Sequence, residues 1–202
     1  MPPRDMQPEL SLLAKMKQGD EEAFVALYRR HKDAVYRFAL LVTGSGAAAA
    51  DVTQEAFLHF LTNPAHYDPA RGTIGAWLCG VVRNLARREA GKREDATDPE
   101  VLADDEDTHE SQVDNVTPLE QVLRNETAEQ VRRALAGIAP HYRDVLILCE
   151  LSDLSYAEAA QVCGIDIGTV RSRLSRARTQ LADRLARRGL LARTAGSKEA
   201  LS

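Results

Sequence analysis

The apolar residues of this chain recur at helical spacing in two stretches, and no segment shows the two-residue alternation of a half-buried strand. The first stretch runs from residue 10 to about residue 88, and the second begins near Pro118. Between them, residues 89–116 lack apolar periodicity and are rich in Asp, Glu and Thr. Such a segment cannot bury enough apolar surface to fold by itself. The pattern therefore predicts an all-α protein with two helical domains joined by an acidic flexible linker.

The length of 202 residues agrees with two compact units of fewer than about 100 residues each. The N-terminus has no apolar signal segment, and no run approaches the roughly 18 apolar residues that a membrane span needs. We therefore expect a cytoplasmic protein without membrane insertion. The predicted boundaries are a first domain at 10–90, a linker at 91–116, a second domain at 117–190 and a tail at 191–202.

The three cysteines, Cys79, Cys149 and Cys163, are far apart and contain no C-x-x-C pair. An odd number at this spacing indicates neither a disulfide framework nor a zinc site. We expect all three to be small buried thiols.

The formal net charge of -4 is unevenly distributed along the chain. Between Glu89 and Asp114 there are eleven acidic residues against two basic ones, a local charge of -9. From Arg171 to Arg193, eight arginines and one acid give +7 over 23 residues. A basic stripe of this kind is what phosphate binding requires, so the acidic total does not exclude a nucleic-acid partner.

The basic stripe follows a predicted helix-turn-helix. Ser155 and Glu158 have the spacing of a capping box, which starts a short helix. Gly164 ends that helix, and Asp166 can cap the next one. The second helix places Val170, Leu174, Leu181 and Leu185 on one side. At 100° per residue, the opposite side carries Ser172, Ser175, Arg176 and Thr179, with Arg171 and Arg178 on one flank, so these side chains can enter a major groove.

Three segments occur in the order typical of one protein family. DVTQEAF at 51–57 resembles the segment of extracytoplasmic-function (ECF) sigma factors that contacts the clamp helices of the polymerase largest subunit. RGTIGAWLCGVVRNLARR at 71–88 resembles their promoter-melting helix and its preceding loop. LSYAEAAQVCGIDIGTVRSRLSRARTQL at 154–181 resembles their reader of the upstream promoter element. The similarity to this group of the sigma-70 family extends from about Gly19 to Arg188.

The resemblance implies a sigma factor that binds core RNA polymerase and directs promoter-specific transcription initiation. It implies that Asp51, Gln54 and Glu55 contact the clamp helices, and that the flap of the second large subunit is a further contact. It also implies an anti-sigma factor as a partner, and an acidic linker that mimics nucleic acid in polymerase channels, although composition alone favours a solvated tether. Because the polymerase performs the catalysis, we expect no enzymatic activity, cofactor or metal in this chain.

The family match divides DNA recognition between two states of DNA. The upstream element is expected to be read as duplex, with Arg171, Ser172 and Arg176 as the best base-edge candidates and the remaining arginines on phosphates. The upstream candidates are Arg171, Ser172, Arg173, Ser175, Arg176, Arg178 and Thr179. The downstream element is expected to be bound as a melted single strand. The downstream candidates are Tyr67, Arg71, Arg83, Asn84, Arg87 and Arg88.

Two other functions are compatible with parts of the sequence. Helix-turn-helix modules are shared widely, so a stand-alone transcriptional regulator is the main alternative. Such a regulator would bind duplex DNA without polymerase, usually as a dimer. A metal-dependent nuclease using Asp51, Glu55 and His59 is the second alternative. The sequence has no Gly-rich phosphate loop and no second carboxylate cluster on an ordered element, which disfavours the nuclease.

Overall fold

A computed structural model describes residues 7–96 and 128–187, and these residues form helices and turns without a strand. The first domain contains α1 (Gln7–Lys17), α2 (Glu21–Thr43), α3 (Gly46–Thr62) and α4 (Ile74–Ala96). The second contains α5 (128–136), α6 (Pro140–Leu146) with a π-helical continuation at Ile147–Leu151, α7 (Tyr156–Cys163) and α8 (Ile167–Arg187). The predicted all-α class with two helical domains is confirmed.

Local capping residues set the helix boundaries of the first domain. Asp20 accepts a hydrogen bond from the Ala23 amide at the start of α2. Gly44 ends α2 in the left-handed conformation, with φ of 73°, and the next residue, Ser45, caps the start of α3 by accepting from the Ala48 amide. This tight connection makes α2 and α3 antiparallel neighbours.

The core of the first domain lies between α2, α3 and α4, whose apolar sides pack on one another. Phe38, Phe60 and Leu78 are among the largest fully buried side chains. Helix α1 adds Leu13 and Met16 to this core and also packs on α2 through a buried carboxylate. Glu9 is only 6% exposed and lies 2.7 Å from Arg30 Nε, which compensates its charge.

The helix-turn-helix of the second domain forms as predicted. The Ser155 hydroxyl accepts from the Glu158 amide, and the Glu158 carboxylate accepts from the Ser155 amide at 3.0 Å. Gly164 ends α7 with φ of 66°, and Asp166 accepts from the Thr169 amide at 2.9 Å at the start of α8. Together these caps give α7 and α8 the short connection that the sequence predicts.

One helix extends further into the predicted linker than the composition of that segment indicates. Helix α4 continues through Ala96, six residues into the segment 91–116, because its last turns are built from residue types that favour helices, such as Lys, Arg, Glu and Ala. The rest of the predicted linker and the tail at 191–202 lie outside the described residues, as does residue 118. Among the helices at 7–96 and 128–187, none is both long and apolar enough to cross a membrane.

Candidate nucleic-acid interface

Helix α8 presents a polar side to solvent. Val170 and Leu174 are fully buried against the rest of the second domain, as is Ala177, which completes the apolar side one turn later. The side chains predicted on the opposite side are all exposed, and they are Arg171, Ser172, Ser175, Arg176 and Thr179. The structure therefore brings the predicted duplex-reading residues together on one accessible surface of about three helical turns.

Two of the arginines on α8 are held by residues of the preceding helical segment. Arg176 Nη1 donates to the Tyr142 hydroxyl of α6 at 3.2 Å. Arg178 forms an ion pair with Glu150 of the π-helical turn. The guanidinium groups thus have preferred orientations, which lowers the conformational entropy that a DNA contact would cost. Arg173 is only half-exposed.

The loop before α4 surrounds an aromatic cluster. Tyr67 is 2% exposed, and its hydroxyl donates to the Gly72 carbonyl at 2.9 Å. Burial, with a smaller contribution from Glu9, raises the pKa of Tyr67 to about 12. Trp77 lies half-buried beside Tyr67, with ring centroids 6.1 Å apart, and its ring is stacked on that of His59. Tyr67 was predicted at a DNA contact, but here its ring and hydroxyl hold the loop in shape, while Arg71 in the same loop is exposed.

The polar side of α4 differs from that of α8, because part of it is covered by the second domain. Arg83 is 5% exposed, and its Nε donates to Asp144 Oδ2 of α6 at 2.7 Å. Arg87 Nη2 donates to the same oxygen at 2.9 Å. Asn84 and Arg88 are exposed. Four of the six predicted single-strand residues therefore lie along α4, and two of these four, Arg83 and Arg87, already share a carboxylate.

A second contact joins the start of α4 to α7. The Thr73 hydroxyl caps α4 through the Ala76 amide and donates to Glu158 Oε1 at 2.9 Å. Burial opposes ionisation of the Glu158 carboxyl, but hydrogen bonds from Ser155 and Thr73 outweigh it and lower its pKa. A cleft of about 240 Å³ lies at this junction, lined by the 66–73 loop, α4 and α7.

The predicted polymerase-binding residues share an exposed side of α3. Asp51, Gln54 and Glu55 are all accessible, and Glu55 accepts from Arg88 Nη2 at 2.8 Å. Leu58 and Leu61, one and two turns further along α3, are 51% and 44% exposed. A side that combines carboxylates with exposed leucines suits a partner surface that offers both basic and apolar groups.

The sequence does not predict four contacts of the site. These are the contacts of Tyr142, Asp144 and Glu150, and the contact of Glu158 with Thr73. Each contact joins residues at least 28 positions apart in the chain. The nearest signal in the sequence is Asp144, an acid directly before the apolar run 145–149, and the structure leaves it only 2% exposed. A buried carboxylate requires a cationic or hydrogen-bonding partner, although the sequence does not identify that partner.

The cysteines have the environments of structural thiols. Cys79 is buried, whereas Cys149 and Cys163 are half-buried, so the prediction of full burial holds for one of the three. Burial raises the pKa of Cys79 to about 12 and that of Cys149 to about 11. Each thiol is therefore protonated at neutral pH, which disfavours reaction with oxidants. Within 7–96 and 128–187, no group of three or more His, Cys, Asp or Glu side chains could hold a metal ion.

Comparison of the sequence with known proteins identifies matches to two family regions and several relatives. Residues 27–95 match the family described as Sigma-70 region 2, and residues 128–181 match that described as Sigma-70, region 4. The ECF RNA polymerase sigma factor EcfG of Rhodopseudomonas palustris is 34% identical over 148 residues, which are 71% of this chain and 75% of EcfG. SigM of Mycobacterium tuberculosis H37Rv is 31% identical over 186 residues, 89% of this chain and 85% of SigM. SigE of Mycolicibacterium smegmatis is 34% identical over 173 residues, but the match spans 65% of SigE and 84% of this chain.

Solved structures share the fold. The sigma factor RpoE of Bartonella quintana, crystallised with the anti-sigma factor NepR, aligns with a TM-score of 0.63 and 25% identity. That alignment covers 81% of this chain and 96% of RpoE. CnrH, solved with the cytosolic domain of CnrY, aligns with a TM-score of 0.64 at 24% identity over 87% of this chain and 95% of CnrH, which supports the fold alone. With two sigma-70 regions in order and relatives such as EcfG and SigM matched over most of their length, the chain belongs to the ECF RNA polymerase sigma factors.

Proposed function

We propose that this chain binds core RNA polymerase and directs it to promoters whose upstream element is read as duplex by α8. The observation that carries the proposal is the exposed polar side of α8, presented by a capped helix and a left-handed Gly164 turn. A helix of this kind fits the major groove, where the guanidinium of Arg176 can donate two hydrogen bonds to a guanine edge. Ser172, Ser175 and Thr179 offer shorter hydroxyl groups along the same side, and Arg171 and Arg178 border it.

The downstream element is bound as a melted strand by the 67–73 loop and α4 in this proposal. The exposed donors Arg71, Asn84 and Arg88 are available for phosphates and base edges. The buried Tyr67 ring supports the loop from inside, so we assign it a positioning role rather than direct stacking on a base. Arg83 reaches DNA only after its contact with the second domain opens, whereas Arg87 is partly exposed and has one guanidinium nitrogen held by Asp144.

The exposed side of α3 is the proposed contact with the clamp helices of the polymerase largest subunit. Asp51, Gln54 and Glu55 supply acceptors for basic residues of the partner, and Leu58 and Leu61 supply apolar contact area. The flap of the second large subunit is the proposed contact of the second domain. The polymerase supplies the catalysis, and the protein acts in the cytoplasm without a cofactor of its own.

An anti-sigma factor is the further proposed partner. The solved RpoE structure contains the anti-sigma factor NepR, and RpoE shares the two-domain fold of this chain. A regulator of that class would hold the protein away from polymerase until a signal releases it.

The decisive experiment is run-off transcription from a genomic promoter library with core polymerase, with and without this protein. We expect new start sites that depend on the protein and weak binding of the same promoters as free duplex without polymerase. Equally tight duplex binding without polymerase would instead favour a stand-alone regulator. The absence of any protein-dependent start would contradict the proposed function.

A further inference from the structure

The contact between the two domains is built on the basic side of α4. One carboxylate oxygen of Asp144 accepts from both Arg83 and Arg87, at 2.7 and 2.9 Å. Arg83 also donates from Nη1 to the Val162 carbonyl of α7 at 3.3 Å. With Arg83 at 5% and Asp144 at 2% exposure, this ion pair is removed from solvent. Two guanidinium groups converging on one anionic oxygen is the arrangement that also binds a DNA phosphate.

Two glycines lie beside α7, Gly80 in α4 and Gly72 in the loop before it. A Cβ atom at Gly80 would sit 4.0 Å from both methyl groups of Val162, and one at Gly72 would sit 3.4 Å from Gln161 Oε1. The Thr73–Glu158 hydrogen bond closes the same end of the contact. The second domain therefore covers α4 from its first turn to Arg87, a length of about 20 Å at 1.5 Å per residue.

We infer that α6 and α7 act as an intramolecular competitor for DNA, with the Asp144 carboxylate occupying the position that a phosphate takes between Arg83 and Arg87. The inference rests on the proposed role of α4 in binding the melted strand. In the closed arrangement the two arginines share the Asp144 carboxylate, which buries Arg83 and offsets one of the two positive charges, while the Arg87 side chain stays 47% exposed. Any partner that holds the domains apart, core polymerase included, releases them for DNA, whereas a partner that clamps both domains together keeps them masked.

The competition predicts that opening the contact increases both the size of the free protein and its affinity for single-stranded DNA. Asp144→Asn removes the carboxylate charge and leaves two guanidinium groups facing a neutral amide. Glu129→Gln is the matched control, because it makes the same charge change in the same domain. Glu129 pairs with Arg132 and Arg133 within α5, away from the contact.

A second variant opens the contact without changing charge. Gly80→Leu inserts a side chain between α4 and Val162, where only a hydrogen atom is present now. Leucine also favours the helix more than glycine does, so α4 itself should not be weakened. If Asp144→Asn fails to fold, the Gly80→Leu variant keeps the inference testable.

The experiment combines small-angle X-ray scattering of the full chain with fluorescence anisotropy of a fluorescein-labelled mixed-sequence 12-mer single strand. We expect Asp144→Asn and Gly80→Leu to raise the radius of gyration by about a tenth. We also expect them to tighten 12-mer binding about threefold or more, while Glu129→Gln changes neither quantity. An unchanged radius in both variants would overturn the inference and leave the DNA role of α4 intact. A larger radius with unchanged 12-mer affinity would also overturn it, by contradicting the proposed DNA role of α4.

Discussion

The elements α6 and α7 pack against both helices that carry predicted DNA-binding arginines. They cover the apolar side of one helix and the basic side of the other. On α8, the elements α6 and α7 cover the apolar side, so Ser175 and Arg176 remain exposed. On α4, α6 and α7 cover the basic side, so Arg83 is buried against Asp144. Basic helical sequence alone therefore does not determine whether an arginine is available to DNA. Whether an arginine is available to DNA depends on which element packs against its side of the helix.

The largest effect that separates the two helices should follow from removing a buried charge on α4. Arg83→Met leaves Asp144 buried with Arg87 as its remaining partner, and we expect a loss of about 3 kcal/mol in the free energy of unfolding. Urea denaturation followed by fluorescence of Trp77, the one tryptophan of the chain, measures the loss.

Arg88→Met is the control for this change. Arg88 lies on an exposed part of α4 and pairs there with Glu55 of α3. We expect it to cost about 0.5 kcal/mol, because exposed ion pairs contribute little. Equal losses in the two variants would contradict the contrast between a buried and an exposed arginine on α4.

On α8, the effect should be on promoter affinity and not on stability. Arg176→Ala removes a candidate guanine contact, and we expect a loss of about 2 kcal/mol in promoter binding by the polymerase complex. The unfolding free energy should change by less than about 0.5 kcal/mol, because Arg176 is exposed. Filter binding of the holoenzyme to promoter DNA, compared across single-base variants of the upstream element, measures the loss.

Arg133→Ala is the matched control for Arg176→Ala, because it removes one exposed arginine from the same domain. Its effect on promoter affinity should be small and independent of base sequence. If Arg176→Ala weakened binding to all base variants equally, Arg176 would be a phosphate contact, and another residue of α8 would carry the sequence preference.

The features predicted from sequence are those fixed by residues close together in the chain. Ser155, Glu158, Gly164 and Asp166 identify the two helices of the helix-turn-helix within twelve residues, and the structure has each of them in its expected role. The exposed side of α8 follows from helical periodicity in the same way. Local rules suffice here because each cap satisfies an amide or carbonyl of its own helix turn.

The contacts that sequence reasoning missed depend on tertiary packing. Arg83 and Asp144 are 61 positions apart, and nothing in the local pattern of either residue specifies the other. Arg83 follows an apolar run in α4, where a cation at a helix surface is ordinary, so it was assigned to DNA. The ends of helices are similarly uncertain, as α4 shows by continuing to Ala96 through a segment whose acidity suggested a linker.

A smaller effect should come from the cap that links α7 to the covered side of α4. Ser155→Ala removes the hydroxyl that accepts from the Glu158 amide and donates to its carboxylate at 2.8 Å. We expect a loss of about 1 kcal/mol in unfolding free energy. Since Glu158 also binds Thr73, hydrogen exchange of the first turn of α4 should rise together with that of α7. Faster exchange confined to α7 would show that the cap does not support the contact between the domains.

The smallest effect tests how the exposed arginine of α8 is positioned. Tyr142→Phe removes only the hydroxyl that accepts from Arg176 Nη1 at 3.2 Å, and the ring remains to pack against His141. We expect the free-energy difference between the preferred base and the other bases, at the position that Arg176 reads, to fall by about 0.5 kcal/mol, since an exposed hydrogen bond contributes little. In the Arg176→Ala background the same change should have no effect, because its target is already missing. A loss that persisted in the double variant would mean that Tyr142 acts on DNA through another route, and the orientation of Arg176 would then come from α8 alone.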